Sequence, residues 1–137
     1  MPTNTFGHFM KAAFCALLLV GLAACSEEPV SDIKATTVIE AVRSGDAKAW
    51  EAVRSKKVRW AGSIDKVFMI HGDEFVEEHY LRFDPGFGAG AFAEVQISPS
   101  EAKIYKSGQA VTVTGIVLSH EKEQQKTIVK MGSGKVE

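Results

Sequence analysis

Two segments of this sequence, 57–64 and 109–118, alternate apolar and polar residues and carry a glycine within the run. Their apolar residues share one face of each segment: Val58, Trp60 and Ile64 in the first, and Val111, Val113 and Val117 in the second. This alternation is typical of a β-strand with one buried face. A glycine inside such a strand, here Gly62 or Gly115, marks a bulge or a sharp bend. The pattern predicts a mainly β domain whose first strand bends over its own sheet.

The same reasoning extends to the rest of the domain. We predict five strands in all, at 57–70, 74–84, 91–97, 109–118 and 126–131. The spacing of Thr37 and Glu40 is that of a capping box, so a helix over 37–54 is expected before the first strand. Gly45 interrupts this helix and predicts a break or a kink there.

A second helix is indicated between the third and fourth strands. Ser98 is a suitable N-cap, Pro99 suits the first helical position, Glu101 completes a capping box, and Gly108 suits the end, which predicts a helix over 99–107. Five strands with a helix between the third and fourth is the order of the OB-fold. The predicted fold is therefore a mainly β, five-stranded OB-fold-like Greek-key barrel with an N-terminal helix.

Two strands also resemble those of a known family. The segments 57–64 and 106–117 are similar to the strand motifs K-V-x-V-x-G-x-V and G-Q-x-V-x-V-x-G-x-V of the tRNA-anticodon-like bacterial OB-fold family. The similarity covers 50–131, and many members of that family are small lipoproteins. Because the matching residues are structural glycines and core valines, the resemblance implies the fold rather than an activity.

The first 24 residues differ from the rest. They contain no Asp or Glu, and a single lysine, Lys11, precedes the apolar run 12–22. This is the order of a secretory signal peptide, and the run is shorter than the about 20 residues that a membrane-spanning helix needs.

The segment Leu22-Ala-Ala-Cys25 resembles the lipobox of bacterial lipoproteins. The resemblance implies cleavage before Cys25 and its acylation by a diacylglyceryl group and a fatty acid such as palmitate. Ser26 resembles the residue that directs such proteins to the outer membrane of Gram-negative cells, with the domain facing the periplasm. The alternative is an ordinary signal peptide followed by a cysteine. The predicted organisation is a signal peptide at 1–24, a lipidated cysteine and tether at 25–35, and the OB-fold-like domain at 36–137.

Composition argues against several classes of function. Cys15 lies in the predicted signal peptide and Cys25 is predicted to be acylated, so the domain has no thiol for a disulfide, catalysis or metal binding. The formal net charge of -1 gives no general reason to expect a nucleic-acid partner. No Gly-x-Ser-x-Gly motif is present. We expect no enzymatic activity and no cofactor.

Two groups of residues are candidates for ligand contacts. Arg54, Lys57 and Arg59 form a basic cluster that an OB-fold can present on its ligand face. Glu77 and His79 point the same way in an alternating strand and suit a divalent cation, although charged residues there also fit a protected sheet edge.

These observations predict an envelope lipoprotein whose domain is a binding or adaptor module. Its partners would be the membrane, through the lipid on Cys25, and another envelope protein or a small ligand. Two alternatives stay open: a divalent-cation or small-ligand domain that uses Glu77 and His79, and an oligonucleotide- or oligosaccharide-binding module.

Overall fold

The computed structural model describes residues 28–137. They form three α-helices, α1 (Ala35–Ser44), α2 (Ala47–Val53) and α3 (Pro99–Ile104). They also form five strands, β1 (Lys57–His71), β2 (Glu77–Asp84), β3 (Ala91–Ile97), β4 (Ala110–Glu123) and β5 (Lys126–Val136). The predicted signal peptide and Cys25 lie outside the described residues. Within 28–137, the helices are all too short or too polar to cross a membrane.

The five strands close into a barrel in the order β1-β2-β3-β5-β4, and β4 pairs back onto β1. Neighbouring strands are antiparallel except β3 and β5, which are parallel. A parallel pair needs a crossover, and α3 followed by β4 supplies it. The predicted mainly β fold with five strands, and a helix between the third and fourth, is confirmed.

β1 pairs with a different strand along each half of its length because it bends. Its first half, 57–63, pairs with β4, and its second half, 63–71, pairs with β2. The pairing with β2 shifts between Ile64 and Lys66, as at a β-bulge. A Cβ atom at Gly62 would overlap the carbonyl oxygen of Asp84, so glycine is required where the strands approach.

Apolar side chains from all five strands fill the barrel. Fully buried examples are Val58, Leu81, Phe83, Val95, Val113, Val117 and Val129. Val38 and Ile39 of α1 join the same core. The indole N–H of Trp60 donates to the carbonyl of Ile33 at 2.9 Å, and Ser31 N donates to Lys57 O at 2.7 Å. These two bonds hold the segment before α1 against β1.

The helix predicted over 37–54 is two helices. Gly45 adopts a left-handed conformation with φ of 67°, which ends α1, and Asp46 then caps α2 by accepting from Lys48 N. The helix predicted over 99–107 ends at Ile104, although its capping box between Ser98 and Glu101 is present as predicted.

Three predicted strand ends are wrong. β2 begins at Glu77 rather than at 74, because Asp73–Phe75 forms a 3₁₀ turn in which Glu74 and Phe75 both have φ of 62°. The polar segment 119–125 was predicted as a loop, but β4 runs through it to Glu123 and β5 continues to Val136. Residues 119–123 are all exposed, so they lack the apolar alternation that identifies a half-buried strand.

The close approach at Gly62 yields a prediction. Gly62→Ala is expected to destabilise the protein by about 2 kcal/mol, since the added methyl group overpacks the contact with Asp84. Urea denaturation of the purified protein measures the effect. Ala61→Ser, at the exposed neighbouring position, is the control and is expected to change stability by less than about 0.5 kcal/mol. Equal stabilities for the two variants would contradict the assignment.

Candidate functional site

The outer face of the barrel carries five charged side chains that contact one another, here called the ionic cluster: Arg82, Glu94, Lys130, Glu121 and Glu123. They come from β2, β3, β5 and β4. Arg82 and Glu94 are only 2% and 3% exposed, and they are the two buried polar side chains among residues 28–137. Burying two charges on the outside of a barrel is costly unless they are paired, so their geometry matters.

The ionic cluster is built on strand register. Lys66, Arg82, Glu94 and Lys130 lie directly opposite one another on four adjacent strands. Each points outward because its strand neighbours, such as Leu81 and Val95, point into the core. Residues far apart in the chain are thereby aligned in a single row across the sheet.

Every buried side-chain nitrogen and oxygen of the described residues has a hydrogen-bond partner. Arg82 donates from Nε and Nη2 to Glu94 Oε2 at 3.2 and 2.9 Å, and from Nη2 to Glu123 Oε2 at 2.8 Å. Lys130 Nζ donates to Glu94 Oε1 at 2.6 Å and lies 3.2 Å from Glu121 Oε1. Both carboxylate oxygens of Glu94 therefore have a cationic partner.

The pairing keeps Arg82, Lys130 and Glu123 ionised. Burial alone would lower the pKa of Arg82 and Lys130, but hydrogen bonds to carboxylates, Glu94 first, raise both above their usual values. The hydrogen bond from Arg82 lowers the pKa of Glu123, against a smaller opposing effect of burial. Arg82, Lys130 and Glu123 thus carry their charges at neutral pH.

Aromatic rings lie beside the cluster. Phe68 and Tyr80 face each other across β1 and β2, stacked with 5.7 Å between centroids and 22° between planes. Lys66 Nζ and Arg82 Cζ lie 4.8 and 5.3 Å from the Phe68 centroid, within cation–π range. The Tyr80 hydroxyl donates to Glu78 at 2.8 Å, and burial followed by this bond raises the Tyr80 pKa. The hydroxyl consequently stays protonated, and its one hydrogen is donated to Glu78.

A groove of about 560 Å³, here called the outer groove, lies over β3 and β5. Its lining includes Tyr80, Glu94, Gln96, Leu118, Lys130 and Ser133. The segment Gly132-Ser133-Gly134 presents no large side chain and so leaves the groove open. Its volume is in the range of small-molecule sites.

The basic cluster predicted from the sequence lies away from the outer groove. Arg54 pairs with Glu51 at 3.2 Å next to α2, and Arg59 pairs with Glu137 at 3.0 Å. Lys57 is half-buried at the start of β1. None of the three predicted ligand-face residues lines the outer groove.

The predicted cation ligands lie at the start of β2. His79 Nε2 is 4.0 Å from Glu77 Oε2. In the part of the chain from 28 to 137, no three or more His, Cys, Asp or Glu side chains converge as metal ligands would.

The residues of the outer groove were missed by the sequence reasoning. The signal that could have found Arg82 and Glu94 is that each occupies the outward position of a strand with buried neighbours. Their pairing depends on the register between β2 and β3, and alternation alone does not give that register.

Comparison with known proteins relates the chain to a solved lipoprotein structure. The crystal structure of a protein from Klebsiella pneumoniae, described as a "putative nucleic acid-binding lipoprotein", matches with a TM-score of 0.60 over 86% of this chain and 96% of that one. The two sequences are 13% identical, so the match shows a shared fold. No protein-family model matches the chain. A comparison with curated protein sequences finds no match either.

The ionic cluster yields a stability prediction. Glu94→Gln is expected to cost about 3 kcal/mol, because it leaves the buried Arg82 without its full counter-charge. The matched control is Glu137→Gln, which breaks the exposed pair with Arg59 and is expected to cost less than about 0.5 kcal/mol. Denaturant unfolding measures both. Similar losses for the two variants would show that the cluster is not a buried pair in solution.

Proposed function

We propose that this chain is a lipid-anchored envelope protein whose OB-type barrel is a binding module, with the outer groove as its ligand site. The observation that supports the proposal is the outer groove, which is lined in part by the fully paired ionic cluster. Such a cluster holds its strands in one register, so the groove walls are preorganised.

The topology supports an OB-type assignment. The strand order β1-β2-β3-β5-β4 with α3 between β3 and β4 is that of a five-stranded Greek-key barrel of this kind. OB-folds bind oligonucleotides and oligosaccharides on the face of their second and third strands. The outer groove includes Tyr80 of β2 and Gln96 of β3, and so occupies the same part of the barrel.

The chemistry of the groove favours an uncharged, hydroxyl-rich ligand such as a short oligosaccharide. The cluster contains two cations and three carboxylates, so it offers no positive field for a phosphate backbone. The ligand would meet the ring of Tyr80, the amide of Gln96 and the hydroxyl of Ser133. An aromatic ring with amide and hydroxyl groups suits the apolar faces and the hydroxyls of a sugar.

The anchor is supported by the lipobox at Leu22–Cys25 and by the lipoprotein that shares this fold. Ser31 is already hydrogen-bonded to β1, so only 26–30 separates the barrel from Cys25. Even fully extended, a segment of this length reaches about 20 Å. The barrel would therefore stay close to the membrane surface.

Binding at the outer groove is tested with neutral tetrasaccharides, chitotetraose and maltotetraose, by NMR shift mapping on the intact protein. The expected result is that shifts cluster at Tyr80, Gln96 and Ser133. Gln96→Ala is expected to weaken binding about tenfold through the loss of one hydrogen bond. Gln125→Ala, exposed in the β4–β5 turn, is the matched control. Shifts elsewhere, or salt-dependent binding of a single-stranded oligonucleotide instead, would refute this ligand class.

The anchor is tested by incorporation of labelled palmitate in cells. Cys25→Ala is expected to lose the label and to leave the membrane fraction, since acylation requires the thiol. Cys15→Ala is the matched control and is expected to keep both. Label retained by Cys25→Ala would defeat the assignment.

A further inference from the structure

β1 loses its partner on one side halfway along its length. Its pairing with β4 ends where Ser63 lies opposite Ala110. The last contacts beyond it are the bonds from Ile64 N to Gln109 O at 2.9 Å and from Gly108 N to Ile64 O at 2.7 Å. From Lys66 to His71 β1 pairs with β2 alone. This second half is an open sheet edge, here called the β1 edge, in an otherwise closed barrel.

The register identifies which backbone groups of the β1 edge face outward. At the end of the hairpin, Gly72 N donates to Val76 O at 2.8 Å. Hydrogen-bonded and non-bonded pairs alternate along antiparallel strands, so Phe68 and Ile70 direct their N–H and C=O groups towards β2. Those of Val67 and Met69 point the other way. Among residues 28–137 these groups have no backbone hydrogen-bond partner.

Between Lys66 and His71, the middle of the β1 edge lacks the features that usually protect such edges. Natural edge strands are blunted by charges, prolines or a covering element. Here residues 67–70 read Val-Phe-Met-Ile, with no proline and no charge. Met69 and Ile70 are each 43% exposed. The edge is therefore apolar and accessible, with backbone groups spaced for another strand.

A second groove of about 470 Å³, here called the edge groove, lies beside these residues. It is lined by Val67, Phe68 and Met69 of β1, Glu77 and His79 of β2, and residues of α3 that include Ala102 and Lys103. A strand added to the β1 edge would direct every second side chain towards this side of the sheet. An apolar side chain there would meet Val67, Met69 and Ala102.

The lysines near the edge groove indicate which kind of side chain would lie next to the apolar one in the added strand. Lys103 lines the edge groove, and Lys106 lies just beyond α3, two residues before the Gly108 that bonds to Ile64. Neither lysine has a carboxylate within 4.0 Å in the described part of the chain. An acidic residue in the added strand would compensate them. Residues 66–71 contain no carboxylate, so a second copy of this edge would not supply one.

We propose that the β1 edge binds an extended peptide segment of another protein by strand addition. Val67 and Met69 exchange backbone hydrogen bonds with the segment, which places an apolar side chain in the edge groove and an acidic side chain near Lys103. This inference is independent of the outer groove, because the residues that form the edge groove do not line the outer groove.

The test is amide hydrogen exchange, measured by NMR on the intact protein with a synthetic eight-residue peptide. Every second residue of the peptide is threonine, and the positions between alternate valine and glutamate, so that both side chains lie on the face towards the edge groove. The peptide is expected to slow exchange at Val67 and Met69 by at least about tenfold, because each of these two amides gains one hydrogen bond to the peptide at saturation. Exchange at Phe68 and Ile70, already bonded to β2, is expected to change little. This alternation would not arise from side-chain contacts alone.

Three controls sharpen the result. The same peptide with N-methyl groups on its ladder-forming amides is expected to give no protection. A peptide with lysine in place of glutamate is expected to bind about tenfold more weakly, and Lys103→Glu is expected to reverse that preference. Met69→Pro, which removes an outward N–H while leaving the ladder to β2, is expected to lose binding and to keep the thermal transition.

Three outcomes would overturn the proposal. The first is the absence of protection at peptide concentrations up to about 1 mM, the weak limit of specific binding. The second is protection that does not alternate between Val67, Phe68, Met69 and Ile70. The third is concentration-dependent protection without peptide, which would identify a second copy of this chain as the occupant.

Discussion

The change of partner along β1 is the constraint on which the rest of the structure depends. One strand pairs with β4 in its first half and with β2 in its second, and this closes the barrel around the valine core. The bend needs a residue without a side chain where Gly62 meets Asp84, and a bulge after Ile64. β4 begins at Ala110, opposite Ser63, so the second half of β1 extends past the start of β4 and pairs with β2 alone. The strand that closes the barrel therefore also carries the open edge.

The ionic cluster has a different role from the bend, because it holds the strands in a single register. Arg82, Glu94 and Lys130 align across β2, β3 and β5 only when both pairings are correct. A slip by one residue would turn these charges into the core, at a cost of several kcal/mol for each uncompensated ion. Buried ion pairs add little net stability. Here the cluster selects one arrangement of strands, and that arrangement shapes the outer groove.

Much of the fold was predictable from local pattern. β3 has the predicted bounds, since its alternate residues are buried and a Ser98 cap ends it. Prediction failed where exposed residues leave no alternation of apolar and polar side chains in the sequence. This is the case at the exposed ends of β4 and β5 and at the turn containing Glu74 and Phe75. The candidate site was not predictable, because Tyr80, Glu94 and Lys130 are far apart in the chain and look like ordinary outward residues of strands.

By itself the sequence determined the properties that depend on near neighbours. These are the alternation of the strands, the helix cap at Ser98, the break at Gly45, and the apolar N-terminal run that ends at Cys25. The tertiary structure alone decided which charged residues meet, where the outer groove lies, and that the β1 edge has no partner. The physical reason is that strand pairing brings together residues far apart in sequence. Period-two patterning says which face a side chain occupies but not which strand lies beside it.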